Sequence, residues 1–379
     1  MAIAALCLAP RAAAADAPAA AAEAQETRET MGRIFEAMRF LLPLSLEAER
    51  FEDPARRERV GEALALLERS AAELSLHAES QEPSFLHLAR TLAADARDVR
   101  ERWAEGYVRE ARQLVQIMTE TCIACHSRLP AERDAPRSEA FLRDEEVERL
   151  PLEGRAKLAY ATRNFAAAVV LYERLLAAPP PSATWLDHEG YLDDYLELSI
   201  RVRRDWQRPV EPLAAFARRG DLSPSLAEEV ARWRSALERL RSGSGVASLE
   251  EVQALVGRSA DAADPRDWLV EYLQASGFLH ARLEQGIPTG ERARAYELLG
   301  VLESRIGRSF WLSQAEAFLE AAIRLAPGTP VAARAYELLD DALVAGYASR
   351  DSELPPDIQR RLDELREVAG GRPTGGAVP

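Results

Sequence analysis

Cys122-Ile123-Ala124-Cys125-His126 is the place in the sequence where reactive side chains fall at a spacing with clear chemical meaning. On a helix, thiols three positions apart lie on one side about a turn apart, and an imidazole four positions after the first thiol shares that side. Three chemistries use such a set. A C-x-x-C pair can cycle between dithiol and disulfide; two thiolates and an imidazole can be part of a zinc site; or the thiols can add to the vinyl groups of a haem while the imidazole ligates its iron. Zinc needs four ligands, and the other histidines, His77, His87, His188 and His280, are scattered singly. A thioredoxin-type pair opens a helix after a strand, whereas this one ends a helical pattern. One covalent haem c fits best, with Cys122 and Cys125 as anchors and His126 as the proximal iron ligand.

The elements that must position these residues are helical. Apolar residues recur at helical spacing in four segments before the first long loop. The first carries Met31, Ile34, Phe35, Met38, Leu41 and Leu42 and is ended or kinked by Pro43. The second opens on Asp53-Pro54, a capping residue followed by proline at the first helical position, and carries Val60, Ala63, Leu64, Leu67, Ala71 and Leu74, with His77 on the same stripe. The third carries Phe85, Leu88, Ala89, Leu92, Ala96, Val99 and Trp103; the fourth carries Tyr107, Ala111, Leu114, Val115 and Met118 and runs directly into Cys122 and Cys125. Short connections imply an antiparallel up-down bundle with the attachment face in its core. Pro130, Pro136 and Pro151 around a charged stretch mark a domain boundary. The rest is again helical, with candidates at 184–204, 224–241 and 266–285, and no run of alternating β-branched residues, so the fold class is all-α.

Within the second half, Phe165, Ala168, Tyr172, Leu175 and Pro180 have nearly the spacing of Leu312, Ala315, Leu319, Ala322 and Pro327. Both resemble the second helix of a tetratricopeptide repeat (TPR), in degenerate form. With C-x-x-C-H at the end of the fourth helix, the first 130 residues resemble cytochrome c′, a family of c-type cytochromes with haem near the C-terminus of a four-helix bundle. The resemblance implies thioether bonds at Cys122 and Cys125, iron ligation by His126 and dimer formation. It also implies a first-helix side chain over the distal iron face, which alignment on Pro43 makes Met31. The family's first-turn arginine and its basic residue after the motif are met loosely by Arg28 and Arg128. Up-down-up-down topology independently gathers Met31, His77, Phe85 and His87 near His126, with Met31 and His77 on inward stripes and His87 facing out. Met31 reads as core packing or distal-face residue, and His77 as a surface group or a ligand; an open sixth position would suit a small gas such as NO or CO.

The expected organisation is a leader at 1–26, a haem-binding bundle at 27–130, a linker at 131–151, a TPR-like domain at 152–350, and a terminal helix with a disordered tail at 351–379. The leader has an apolar run Ile3–Ala9 and Ala13-Ala14-Ala15 before Asp16, like a signal-peptide cleavage site, so export to the periplasm is expected and Cys7 would leave with it. No later stretch reaches the roughly 18 apolar residues of a membrane span. The 379 residues carry 48 basic and 62 acidic groups, a net charge of −14, which gives no electrostatic drive toward nucleic acid. Lysine occurs only at Lys157, the other basic residues being arginine, a pattern that resembles genome composition bias. Acidic pairs such as Asp193-Asp194 read as solvated faces, and the tryptophans as inter-helix packing. The expected activity is electron transfer to a redox partner protein, a carrier rather than an enzyme. The alternative is a TPR-like scaffold or sensor in which haem is regulatory.

Overall fold

Asp53 accepts a hydrogen bond from the Ala55 amide at 2.9 Å, and Pro54 opens a short 3₁₀ turn that leads into a helix at Arg57. Ser223 and Pro224 repeat the device, the serine hydroxyl accepting from the Leu226 amide. Caps of this kind satisfy amides that a helix start leaves without partners. They punctuate a chain that, over the residues described by this computed structural model (17–78, 83–128, 136–177, 179–307, 314–348 and 354–370), contains helices and no strand. The helices are α1 (Ala17–Ser45), α2 (Ala48–Phe51), α3 (Arg57–His77), α4 (Pro83–Glu105), α5 (Val108–His126), α6 (Pro136–Leu142), α7 (Glu145–Glu148), α8 (Leu152–Ala161), α9 (Phe165–Ala177) and α10 (Ala183–His188). They continue with α11 (Tyr191–Glu197), α12 (Val210–Phe216), α13 (Pro224–Arg241), α14 (Leu249–Arg258), α15 (Leu269–Glu284), α16 (Thr289–Ile306), α17 (Ala315–Leu325), α18 (Pro330–Ala348) and α19 (Pro356–Ala369). Among the described residues no helix is long and apolar enough to cross a membrane.

The chain divides into two compact units, one formed by Met1–Glu82 with Ala89–Val115, the other by Pro83–Leu88 with Gln116–Pro379. The division falls inside α4 and α5; the expected linker 131–151 holds α6 and α7, its residues 131–135 lying outside the described residues. In the first unit α1 runs through Pro43 to Ser45 and pairs with α3, where Arg33 meets Glu73 and the stripes Ile34, Met38, Leu41 and Val60, Leu64, Leu67 are buried. Glu68 of α3 pairs with Arg100 of α4 at 2.8 Å, Trp103 meets Phe51 edge-on at 5.5 Å, and Arg112 of α5 donates to the Ser45 carbonyl at 3.0 Å. Residues 17–26, expected in the leader, are helical, while Cys7 lies outside the described residues.

In the second unit, α8 and α9 form a pair whose apolar faces meet at Ala156, Tyr160, Phe165, Ala168, Val169 and Tyr172. The pair α16–α17 packs in the same manner, with Ala315, Leu319 and Ala322 buried; Leu312 and Trp311 lie outside the described residues. Closeness there depends on Gly300 of α16, where an added Cβ would lie 2.6 Å from the Leu319 side chain. The tail beyond Gly370 lies outside the described residues. Gly300→Ala is expected to destabilise the protein by about 1–3 kcal/mol through overpacking, read as a lowered urea midpoint at unchanged slope.

Candidate functional site at the end of the fifth helix

The three residues singled out from sequence occupy the last turn of α5, and all three belong to the second unit. Ile123 is buried in that unit's core, and Cys122 packs half-buried against it. The cysteine face was expected in the bundle core; periodicity shows that a face is apolar, not which neighbour borders it. Cys122 and Cys125 are not joined in a disulfide, and both are half-buried.

His126 is held by a helix end. The last turn of α8 closes with the Asn164 amide on the Ala159 carbonyl and the Arg163 amide on the Tyr160 carbonyl, with Arg163 left-handed at φ 63°. This is a Schellman turn, and it leaves the carbonyl of Ala161, one of the terminal acceptors, to find another donor. That donor is the His126 ring, whose Nδ1 lies 2.7 Å from the Ala161 oxygen. A carbonyl oxygen only accepts, so Nδ1 carries the proton and Nε2 is the nitrogen with a lone pair. Burial, with the Arg163 guanidinium adding to it and the Ala161 bond opposing, pulls the imidazole down to about 4, so the ring is neutral at physiological pH. Arg163 uses its left-handed position, which costs a residue with a Cβ roughly 1–2 kcal/mol, to donate to the His126 carbonyl at 3.2 Å while covering the Phe165 ring.

Two ionic clusters, one half-buried and one buried, fix the helix around this point. Upstream, Lys157 of α8 bonds the carboxylate of Glu120, two residues before Cys122, and reaches Asp194 at 3.1 Å. Asp194 is 2% exposed and accepts the Tyr172 hydroxyl at 2.9 Å, so the expected solvated face at Asp193-Asp194 is half interior. Downstream, Ser127 accepts from Arg201 at 3.1 Å; Arg201 bonds Glu197 and reaches Glu303 at 3.0 Å, and Arg128 lies 3.5 Å from Glu303 and over the Phe318 ring. Burial opposes the charge on Glu303, but the guanidiniums of Arg201 and Arg128 outweigh it and hold the carboxyl down to about 2. Arg128, Arg201, Ser127 and His280 line a cavity of about 20 Å³, room for a single water.

Of the candidates for the distal side, Met31 is half-buried on α1 in the first unit. His77, also in that unit, has the carboxylates of Glu26 and Glu73 at 3.6 and 3.9 Å from its ring nitrogens. His87 belongs to the second unit with the motif; burial lowers its pKa, and Arg128 and Arg361 lower it further. Sequence reasoning missed Ala161, whose part is played by its backbone, and Arg163, which takes the place a glycine usually holds. It also passed over Lys157, though the only lysine among arginines was a signal in plain view.

Among the described residues no group of three His, Cys, Asp or Glu side chains is arranged to hold a metal ion by itself. The donor types suit a haem: two thiols three positions apart on one helix, Cys122 packing on apolar residues, and a neutral imidazole with Nδ1–H bound to a carbonyl. Comparison with protein-family models, with curated proteins and with solved structures finds no match for this chain.

Two outcomes follow from the clusters. Lys157→Met, which strands the buried Asp194 carboxylate, is expected to cost about 3–5 kcal/mol in urea denaturation. For Glu303, the folded pKa of about 2 lies below the ordinary 4.5, so the folded state binds fewer protons between those values. Its contribution is complete above pH 4.5 and is lost as pH falls toward 2. Glu303→Gln is expected to lose about 3 kcal/mol at neutral pH and to flatten the decline in stability below pH 4.5.

Proposed function

We propose that the chain is an exported, periplasmic c-type cytochrome that carries one haem c on Cys122 and Cys125, with His126 as iron ligand, and works in electron transfer. The observation that carries this reading is the Ala161 carbonyl on His126 Nδ1, because histidines that ligate metals almost always donate their second ring N–H to such an acceptor. When bound, the haem supplies a one-electron iron couple. The chain's own residues hold the rest in place. Ala161 sets the ring's tautomer and direction, Arg163 anchors the backbone of the same residue, and Ile123, buried in the core, fixes the turn that carries the thiols.

The N-terminal helices suit a cytochrome c′-like bundle, and that resemblance implies Met31 as distal-face residue and a sixth position open to NO or CO. His77 has carboxylate neighbours of its own and is the weaker candidate for that face. The helices after the motif suit a TPR-like domain that docks a redox partner, and the net charge of −14 calls for a basic surface on it. The paired helices α8–α9 and α16–α17 also support the alternative, a scaffold or sensor in which haem is regulatory. In either case the protein is a carrier or sensor rather than a catalyst, and a homodimer follows from the cytochrome c′ reading.

Produced with its leader in a bacterium that matures c-type haem, the protein is expected to keep its haem through acid–acetone extraction and to bind CO when reduced. Cys122→Ala with Cys125→Ala is expected to abolish attachment. His126→Ala is expected to leave the haem attached and change the ligation spectrum. A colourless chain from a competent host would contradict the reading, and a low-spin ferrous spectrum indifferent to CO and NO would contradict the open sixth position.

A further inference from the structure

Aromatic residues make up only 7% of this chain, yet in the second unit redox-active rings stand in line. Tyr160 of α8 meets Tyr172 of α9 at 6.3 Å between centroids; Tyr172 meets Tyr191 of α11 at 6.4 Å; Tyr191 meets Trp185 of α10 at 5.3 Å. All three separations fall in the range of direct ring–ring contact. One end of the line is the residue before Ala161, whose carbonyl holds His126. The other end, Trp185, is 36% exposed.

We propose that Trp185, Tyr191 and Tyr172 form a relay that carries single oxidising equivalents between the surface and the interior of the second unit, with Asp194 taking the Tyr172 proton and the Tyr160 ring continuing the line of contacts toward the segment that holds His126. Packing alone does not call for this chemistry. Phenylalanine would fill the same space without burying the Tyr172 hydroxyl against a carboxylate, a polar pair that is costly to bury unless fully satisfied. Here it is satisfied in a way that suits proton-coupled oxidation: the phenol donates to Asp194 at 2.9 Å, and Asp194 is charge-balanced by Lys157 at 3.1 Å. Lys157 also lies over the Tyr191 ring at 5.3 Å.

The oxidant is a one-electron radical of the azidyl or peroxide-derived class, arriving from solution at the exposed indole. It takes one electron from Trp185 and leaves as its anion, while the indole N–H proton goes to water. The Trp185 radical then takes an electron from Tyr191 and a proton back from water, and is restored, while the Tyr191 phenol proton goes to water. Tyr191 is restored in turn by an electron from Tyr172 and a proton from water, and the Tyr172 O–H bond breaks with transfer of its proton to the Asp194 carboxylate. The sum is one oxidant reduced, one phenol oxidised, and one proton moved onto Asp194. Run in reverse, the same hops deliver an equivalent from the interior to a reductant docked at Trp185. The inference extends the electron-transfer reading, but its test does not require haem.

Pulse radiolysis with azidyl radicals on the full-length chain carrying Cys7→Ala, Cys122→Ala and Cys125→Ala avoids both haem bands and competing thiols. A tryptophanyl signal is expected to decay as a tyrosyl signal rises, at a rate independent of protein concentration. Trp185→Phe, a change at a half-exposed position that leaves folding intact, is expected to lower the amplitude of this intramolecular phase severalfold, and Tyr191→Phe to do the same. Trp206→Phe, off the line, is expected to leave it unchanged. An undiminished intramolecular phase in Trp185→Phe, or transfer that depends on protein concentration, overturns the relay; because no haem is present, neither result bears on haem attachment.

Discussion

An α-helix that ends leaves carbonyls with nothing inside the helix to bond, and in this protein one of them organises the site. The α8 turn satisfies its neighbours with backbone amides and presents the Ala161 oxygen to the ring of His126. That single acceptor decides which ring nitrogen carries the proton, which way the imidazole faces, and where the last turn of α5 sits against α8. The arginine that closes the turn reaches back to the carbonyl of the same histidine, so ring and backbone are fixed by one loop. Backbone strain at Arg163 is a reasonable cost for that double hold.

Around the contact the interior is unusually polar. Lys157 with Glu120 and Asp194 pins the helix just before the cysteines; Arg201, Arg128 and Glu303 pin it just after the histidine. Desolvating such charges returns little net stability compared with an apolar core of the same size. What they do is penalise any other register, since sliding the end of α5 by one position would strand a buried carboxylate or guanidinium. Rigid presentation of two thiols and an imidazole is the property that benefits.

Much of this was legible in the sequence, and the rest was hidden for definite reasons. Periodic apolar stripes gave the helices and the Asp53-Pro54 signal gave one of their starts, because those depend on local chemistry. C-x-x-C-H marked the candidate site. The border of Cys122 with the second unit's core was not legible, since a stripe does not name its neighbour. Nor was the Ala161 contact, which involves a backbone atom that every residue has, or the burial of Asp194, which looks like any surface carboxylate beside Asp193. Lys157 was visible as an exception to an arginine-rich composition, and its role needed Glu120 and Asp194 to be brought to it.

The intact mass of the protein, produced with its N-terminal segment in a host that attaches c-type haem, bears most directly on the site's chemistry. The expected value is that of the polypeptide starting near Asp16 plus one haem, with the added mass mapping to the peptide that contains Cys122 and Cys125. The mass of the bare polypeptide, with both thiols open to alkylation, would contradict it.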